Sequence, residues 1–220
     1  MRSPGEPLDS LFADGFESGD FSLWTVSSAI PGFVDLNVTS GAALADSYGM
    51  QVTINDTGAL YVTDETPDSE SSYYARFYFD PNSLYMGNGN HQIFQGYMET
   101  NGAQLEIFRI YLRKVLSAYV LDVYVRNDPV SMTPWLKAAA YQISDAVHAI
   151  EIEWAAARAP GANNGRMKLR VDGNSAGGIS TVDNDAIRLD GVKLGAVSEL
   201  DLGTSGTYCF DAVSAGDISH

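Results

Sequence analysis

The sequence predicts an all-β protein, an antiparallel β-sandwich of two stacked sheets, and three observations carry that expectation. Apolar and polar residues alternate with period two in short runs, clusters of turn-forming residues separate the runs, and no stretch reads as a long helix. The runs lie at 49–54, 59–63, 73–80, 92–99, 104–112, 119–126, 138–143, 148–154, 167–171, 187–194 and 207–213. Between them stand Asn-Asp-Thr-Gly, Asp-Pro-Asn-Ser, Gly-Asn-Gly-Asn, Glu-Thr-Asn-Gly and Asp-Gly-Asn-Ser, all rich in residues that turn the chain.

Some runs alternate cleanly enough to assign faces. In 73–80, Tyr73, Ala75, Phe77 and Phe79 share the core face, leaving Tyr74, Arg76, Tyr78 and Asp80 on the other. In 148–154, His148, Ile150, Ile152 and Trp154 form the inner set, and Glu151 and Glu153 point away. Residues 155–165 read as a long hairpin loop, because Pro160 and Gly161 stop any helical turn begun by the preceding alanines. In 207–213, Tyr208 and Phe210 face one way, and Cys209 and Asp211 the other.

With 220 residues, 45% of them hydrophobic, 12 tyrosines, 21 glycines and eight prolines, the chain is folded and turn-rich. One domain over 11–215 is expected, with a flexible segment at 1–10 and a tail at 216–220; no repeat or composition shift divides it. Twenty-eight acidic against 13 basic residues give a net charge of -15, which repels phosphate backbones and so argues against nucleic acid as a partner. No apolar run approaches the roughly 18 residues that insertion into a bilayer requires. The opening residues lack the apolar stretch of an export signal. The single Cys209 allows neither an internal disulfide nor a cysteine zinc cluster, and reads as a small core residue.

The densest motif is Asp14-Gly15-Phe16-Glu17-Ser18-Gly19-Asp20-Phe21-Ser22-Leu23-Trp24. Asp14, Glu17 and Asp20 offer hard carboxylate oxygens, and Gly15 and Gly19 let the backbone aim carbonyls at one point, as a calcium ion taking six to eight oxygens requires. The same residues also describe an acidic surface turn anchored by Trp24.

Together with the strand Tyr-Tyr-Ala-Arg-Phe-Tyr-Phe-Asp at 73–80, the strand His-Ala-Ile-Glu-Ile-Glu-Trp at 148–154, the segment Gly-Arg-Met-Lys-Leu-Arg-Val-Asp-Gly at 165–173 and the closing Gly-Thr-Tyr-Cys-Phe-Asp at 206–211, this motif resembles the concanavalin A-like lectin/glucanase jelly rolls, and among them the laminin-G-like modules of secreted bacterial proteins. The resemblance implies a jelly roll whose first and last strands are neighbours, often with a structural calcium where they meet. Carried onto this sequence, its ligands are Glu17 and Asp211, with Asp14 or Asp20 and carbonyls near Gly19. It also implies an extracellular setting and a glycan or cell-surface polymer as partner, making the chain a carbohydrate-binding or adhesion module. Exposed Tyr74, Arg76, Tyr78, Tyr85 and Tyr97 are the residues expected to stack on sugar rings and bond their hydroxyls.

Two other readings share the fold. Retaining glycoside hydrolases of this fold set two carboxylates about 5 Å apart, usually on a Glu-x-Asp-x-Glu strand; here Glu151-Ile152-Glu153-Trp154 lacks the central Asp and the third acid. A polysaccharide lyase needs a base near neutral pH and a group that neutralises the uronate carboxylate. Arg76, His91, Gln92 and Tyr97 are its candidates, and Gln92-Ile93-Phe94 is similar to the Gln-Ile-His strand of jelly-roll alginate lyases, with Phe94 in place of the His. His91 follows Gly-Asn-Gly-Asn and is expected in an exposed turn. A structural subunit of a surface assembly is the third possibility.

Overall fold

The computed structural model describes residues 9–29, 35–128 and 134–217. Residues 1–8 of the expected flexible segment and 218–220 of the expected tail lie outside them. The strands in chain order are β1 (Asp9–Asp14), β2 (Val26–Ser27), β3 (Leu36–Thr39), β4 (Gly49–Ile54), β5 (Leu60–Asp64), β6 (Ser72–Asp80), β7 (Asn90–Thr100), β8 (Ala103–Val115), β9 (Ala118–Arg126), β10 (Trp135–Ile143), β11 (His148–Ala155), β12 (Gly165–Val171), β13 (Asn174–Val182), β14 (Gly191–Ser198) and β15 (Gly206–Asp217). A single 3-10 turn, Ser40–Ala42, is the one helical element among the described residues.

The strands form two antiparallel sheets. Sheet I has the order β13-β12-β11-β6-β15-β4-β3, with β1 also pairing β15, and sheet II has the order β10-β9-β8-β7-β14-β5-β2. The sandwich expected from the alternation is therefore present. Its core is an aromatic seam between the inner faces: Phe77 of β6 meets Phe94 of β7 at 5.3 Å, and Phe108 of β8 meets Tyr73 of β6 at 6.3 Å and Trp154 of β11 at 6.1 Å, centroid to centroid. The assigned faces hold for Tyr73, Ala75, Phe77, Phe79, Ile150, Ile152 and Trp154, all buried, whereas His148, expected in the inner set, is only half-buried at the start of β11, where Ser144 and Asp172 hold its ring.

Two irregularities place the functional groups. In β15 a register shift falls between Asp211 and Ser214, and Ala212 sits at φ 48. This bulge lets β15 pair β4 through its first half and β1 through its second, so the first and last strands lie side by side. In β7 the register against β8 shifts between Gln92 and Phe94. Ile93 and Phe94 consequently both enter the core, at 0% and 1% exposure, and Phe94 does not occupy an outward position equivalent to a catalytic His.

Where sequence and structure differ, the cause is side-chain content. β13 (Asn-Ser-Ala-Gly-Gly-Ile-Ser-Thr-Val) reads as turn because small polar residues dominate it, yet it pairs β12 along its length. The run expected at 187–194 begins instead at Gly191, the preceding residues making only an isolated bridge, Glu70 with Leu189.

Candidate functional site

The expected candidates fall into four separate places. The N-terminal motif is a hydrogen-bonded clasp over the β1/β15 junction. Asp14 accepts the Phe16 amide at 2.7 Å and the Trp24 indole N–H at 2.8 Å. Glu17 accepts the amides of Ser47 and Tyr48, Asp20 accepts the Ser22 amide and the Ser18 hydroxyl, and Asp211 accepts the amides of Leu44, Ala45 and Ala212. Gly19 supplies the left-handed turn at φ 78, and its amide bonds the Phe16 carbonyl. These carboxylates are hard donors of the kind calcium takes, but no three of them bring oxygens within 4.8 Å of one another. Burial, opposed by the Phe16 and Trp24 bonds, raises the Asp14 pKa, and the charges of Asp20 and Asp211 push the same way.

Tyr74, Arg76 and Tyr78 lie on the outer face of sheet I. Tyr74 donates to Glu151 at 3.0 Å, Arg76 donates to the Tyr78 hydroxyl at 3.0 Å, and Arg166 and Lys168 both pair Glu153. The crevice among Tyr74, Glu151, Glu153, Lys168 and Arg170 holds about 20 Å³, room for one water and not for a sugar ring. Tyr85 is elsewhere again, 67% exposed in the loop before β7 and bridged to Ser205.

His91 does not stand in an exposed turn. It is the second residue of β7, at 1% exposure, its ring stacked on Tyr208 at 5.7 Å, with neither ring nitrogen hydrogen-bonded. Burial lowers its pKa from 6.5 to about 4. Arg76, on the other sheet, cannot join it, so of the four lyase candidates only Gln92 and Tyr97 share a surface.

That surface is the outer face of sheet II, and strand register assembles a row across it. Lys137 pairs Tyr124, Tyr124 pairs Arg109, Arg109 pairs Gln95, Gln95 pairs Lys193 and Lys193 pairs Thr63, spanning β10, β9, β8, β7, β14 and β5. Residues directly opposite in adjacent strands share a face, so three cations stand on alternate strands of one line. Arg113 and Arg126 flank it, placing five of the chain's 13 basic residues on one face of a molecule of charge -15.

Aromatic rings support the cations. The Arg109 guanidinium lies 3.9 Å from the Trp135 ring centre, 5.0 Å from Tyr111 and 5.6 Å from Tyr124, and Arg126 stacks on Trp135 at 4.8 Å. Glu106 pairs Arg109 at 2.9 Å, and Asp122 pairs both Arg113 and Lys137. Gln92 donates to the Tyr111 hydroxyl, which donates to Glu199 at 2.8 Å. Two buried polar atoms at the centre of this face, Gln92 Oε1 and Arg109 Nε, have no hydrogen-bond partner.

Lys193 stands between two tyrosines, 5.0 Å from the Tyr61 ring centre and 5.4 Å from that of Tyr97, and donates to Gln104 at 2.7 Å. Desolvation lowers its pKa against the opposing pull of Glu99, Glu106 and Glu65. Tyr97, expected among the exposed sugar-stacking residues, is instead buried at 1% exposure; burial, then the neighbouring Glu65, raises its pKa, so its hydroxyl keeps its proton at neutral pH. Sequence reasoning missed Lys193, Arg109 and Gln95 because they sit in three different strands. The available signal was polar residues recurring at period two inside apolar strands, as in Arg109, Tyr111 and Arg113.

No family model matches the chain, and no curated protein matches it in sequence. Solved structures do match in three dimensions. An endo-β-1,4-glucuronan lyase from the fungus Trichoderma reesei superposes with TM-score 0.68 at 12% identity, over 94% of this chain and 95% of that one. The alginate lyase Aly36B gives 0.66 at 11% identity over 98% and 96%, and the cellulose-induced protein Cip1 gives 0.62 at 18% identity over 93% and 96%. At these identities the likeness is one of fold: the chain shares its two-sheet sandwich, over nearly its full length, with polysaccharide lyases.

Proposed function

We propose that this chain binds uronate-containing polysaccharides across the outer face of sheet II and cleaves them by β-elimination, in an extracellular setting. The observation that carries the reading is the Lys137–Arg109–Lys193 row. Lys137 and Arg109, on alternate strands, stand about 10 Å apart, a spacing suited to an extended polymer presenting its carboxylates at regular intervals; Lys193 is the next group on the line, and the rings between them suit pyranose faces. The sandwich shared with a glucuronan lyase and an alginate lyase adds support.

The residues supply what elimination needs. Arg109 and Gln95 neutralise the uronate carboxylate, which acidifies the C5 proton. Lys193, its pKa lowered by desolvation, accepts that proton at Nζ while the C4–C5 double bond forms and the C4–O bond breaks. The hydroxyl of the partly exposed Tyr61, whose ring lies 5.0 Å from Lys193, returns a proton to the leaving oxygen.

Incubation with polyglucuronate and alginate, followed by ultraviolet absorbance of the unsaturated product, tests this reading. Lys193→Ala is expected to reduce turnover about 100-fold or more while leaving polymer binding measurable. Unchanged turnover in that variant removes Lys193 from the mechanism. Binding without any product supports the second reading, a non-catalytic glycan-binding module, which the internal pairing of Arg113 and Lys137 by Asp122 favours. A structural calcium at Glu17 and Asp211 belongs to the same proposal, supported by the hard-donor chemistry of these carboxylates; ligation would require them to exchange amides of Leu44, Ala45, Ser47 and Tyr48 for the ion.

A further inference from the structure

Where the chain passes from sheet II to sheet I, three side chains line up that the sheet-face site does not use. Ser144 follows β10, His148 opens β11, and Asp172 lies in the turn between β12 and β13. The Ser144 hydroxyl is 2.9 Å from His148 Nε2, and His148 Nδ1 is 2.8 Å from Asp172 Oδ2. A carboxylate only accepts, so the proton of that second bond sits on Nδ1. In the neutral ring Nε2 is then the acceptor, and Ser144 donates to it. The pairing of β11 with β12 fixes the third member: Asp172 Oδ1 accepts the Ala149 amide at 2.9 Å, while the Asp172 amide donates to the Ala149 carbonyl. Desolvation pushes the Asp172 pKa up, but the bonds from His148 and Ala149 outweigh it and hold the group below its ordinary value, so it is ionised at neutral pH.

Hydroxyl, imidazole and carboxylate in this order make an activated nucleophile: the ring takes the hydroxyl proton, and the acid fixes the ring's tautomer and orientation. The surroundings suit the same chemistry. Asp145, next after the serine, is pinned by Ser83, whose amide and hydroxyl donate to its carboxylate at 2.7 and 2.6 Å. The backbone amides of Asp145 and Ala146 bond no other described residue, which leaves them free to hold a developing oxyanion. Val147, 43% exposed beside the histidine, offers apolar surface to a short acyl chain. Residues 144–147 are all exposed, so the alcohol side of an ester can be large.

We propose that Ser144, His148 and Asp172 form a second site, which hydrolyses short-chain acyl esters, such as acetates, of a bulky alcohol. Ser144 Oγ bonds to the ester carbonyl carbon as its proton passes to His148 Nε2. The bond from that carbon to the alcohol oxygen then breaks, and the alcohol leaves with the proton. Water next attacks the acylserine, giving a proton to Nε2; the carbon–Oγ bond breaks, Oγ takes the proton back, and the carboxylic acid departs. Asp172 touches His148 and not the ester, so it is a positioning residue. Neither step uses the cationic row, and the two sites are tested separately.

A fluorophosphonate probe and p-nitrophenyl acetate, applied to the full chain, test it. The expected results are phosphonylation at Ser144, located by peptide mass spectrometry, and ester hydrolysis that falls about 100-fold or more in Ser144→Ala. Asp172→Asn separates relay from structure. Asn tolerates the left-handed backbone at φ 53 and keeps an oxygen for the Ala149 amide, but its N–H₂ turned to Nδ1 moves the ring proton to Nε2, where it blocks the serine. Hydrolysis should therefore drop at least about tenfold in this variant while the urea midpoint stays at that of the parent chain. No adduct at Ser144 in the folded parent chain, or equal hydrolysis by the parent chain and Ser144→Ala, overturns the proposal. Hydrolysis unchanged in Asp172→Asn overturns it too, because an exposed serine without the relay is not the site described.

Discussion

At the scale of single residues, His91 and Asp211 show burial used in opposite ways. His91 has no partner for either nitrogen, so its neutral form is the one the fold accepts, and its pKa falls from 6.5 to about 4. The unfolded chain then binds more protons than the folded one between those values. Stability therefore falls as pH drops from about 6.5 towards 4, by on the order of 3 kcal/mol for this group. His91→Phe, which keeps the stack on Tyr208, should flatten that part of a denaturation profile measured against pH; an unchanged slope would show that His91 is not its source. Asp211, at 0% exposure, instead accepts three amides. Asp211→Ala leaves those donors unsatisfied and should cost about 3 kcal/mol or more in urea unfolding; a loss under 1 kcal/mol would mean that water replaces the carboxylate.

At the scale of elements, β7 was legible as a strand and illegible as a bulged one. Alternation in 92–99 announces the strand, but the slip between Gln92 and Phe94 depends on how β8 pairs with it. A second slip falls between Gly96 and Tyr97, where Gly96 faces the Phe108 ring. A Cβ at that position would stand 2.3 Å from Phe108 Cζ, in the middle of the aromatic seam. Gly96→Ala should therefore destabilise by about 1–3 kcal/mol through displacement of Phe108, read as a lowered Tm with altered near-ultraviolet circular dichroism. A neutral effect would show that the seam can shift without loss.

At the scale of the whole molecule, the clasp joins strands from opposite ends of the sequence, which gives the calcium proposal a direct readout. A bound ion stabilises the folded state in proportion to its occupancy, so chelator should lower the Tm of the parent chain and have no effect on Glu17→Ala. Identical melting of the parent chain with and without chelator would leave the clasp as hydrogen bonds alone.

The sequence by itself determined the sandwich and the core faces of β6 and of β11 from Ile150 to Trp154; that the first strand lies beside the last entered only as what the family resemblance implies. Period-two alternation, turn residues and paired motifs are local or terminal properties that need no knowledge of neighbours. Only the tertiary structure decided the site. It separated Arg76 from Gln92 and Tyr97, sank His91 into the core, and brought Lys137, Arg109 and Lys193 into one row. The physical reason is strand register: which side chains stand opposite one another depends on bulges and on partners distant in sequence, and a one-residue slip sends a side chain to the other face.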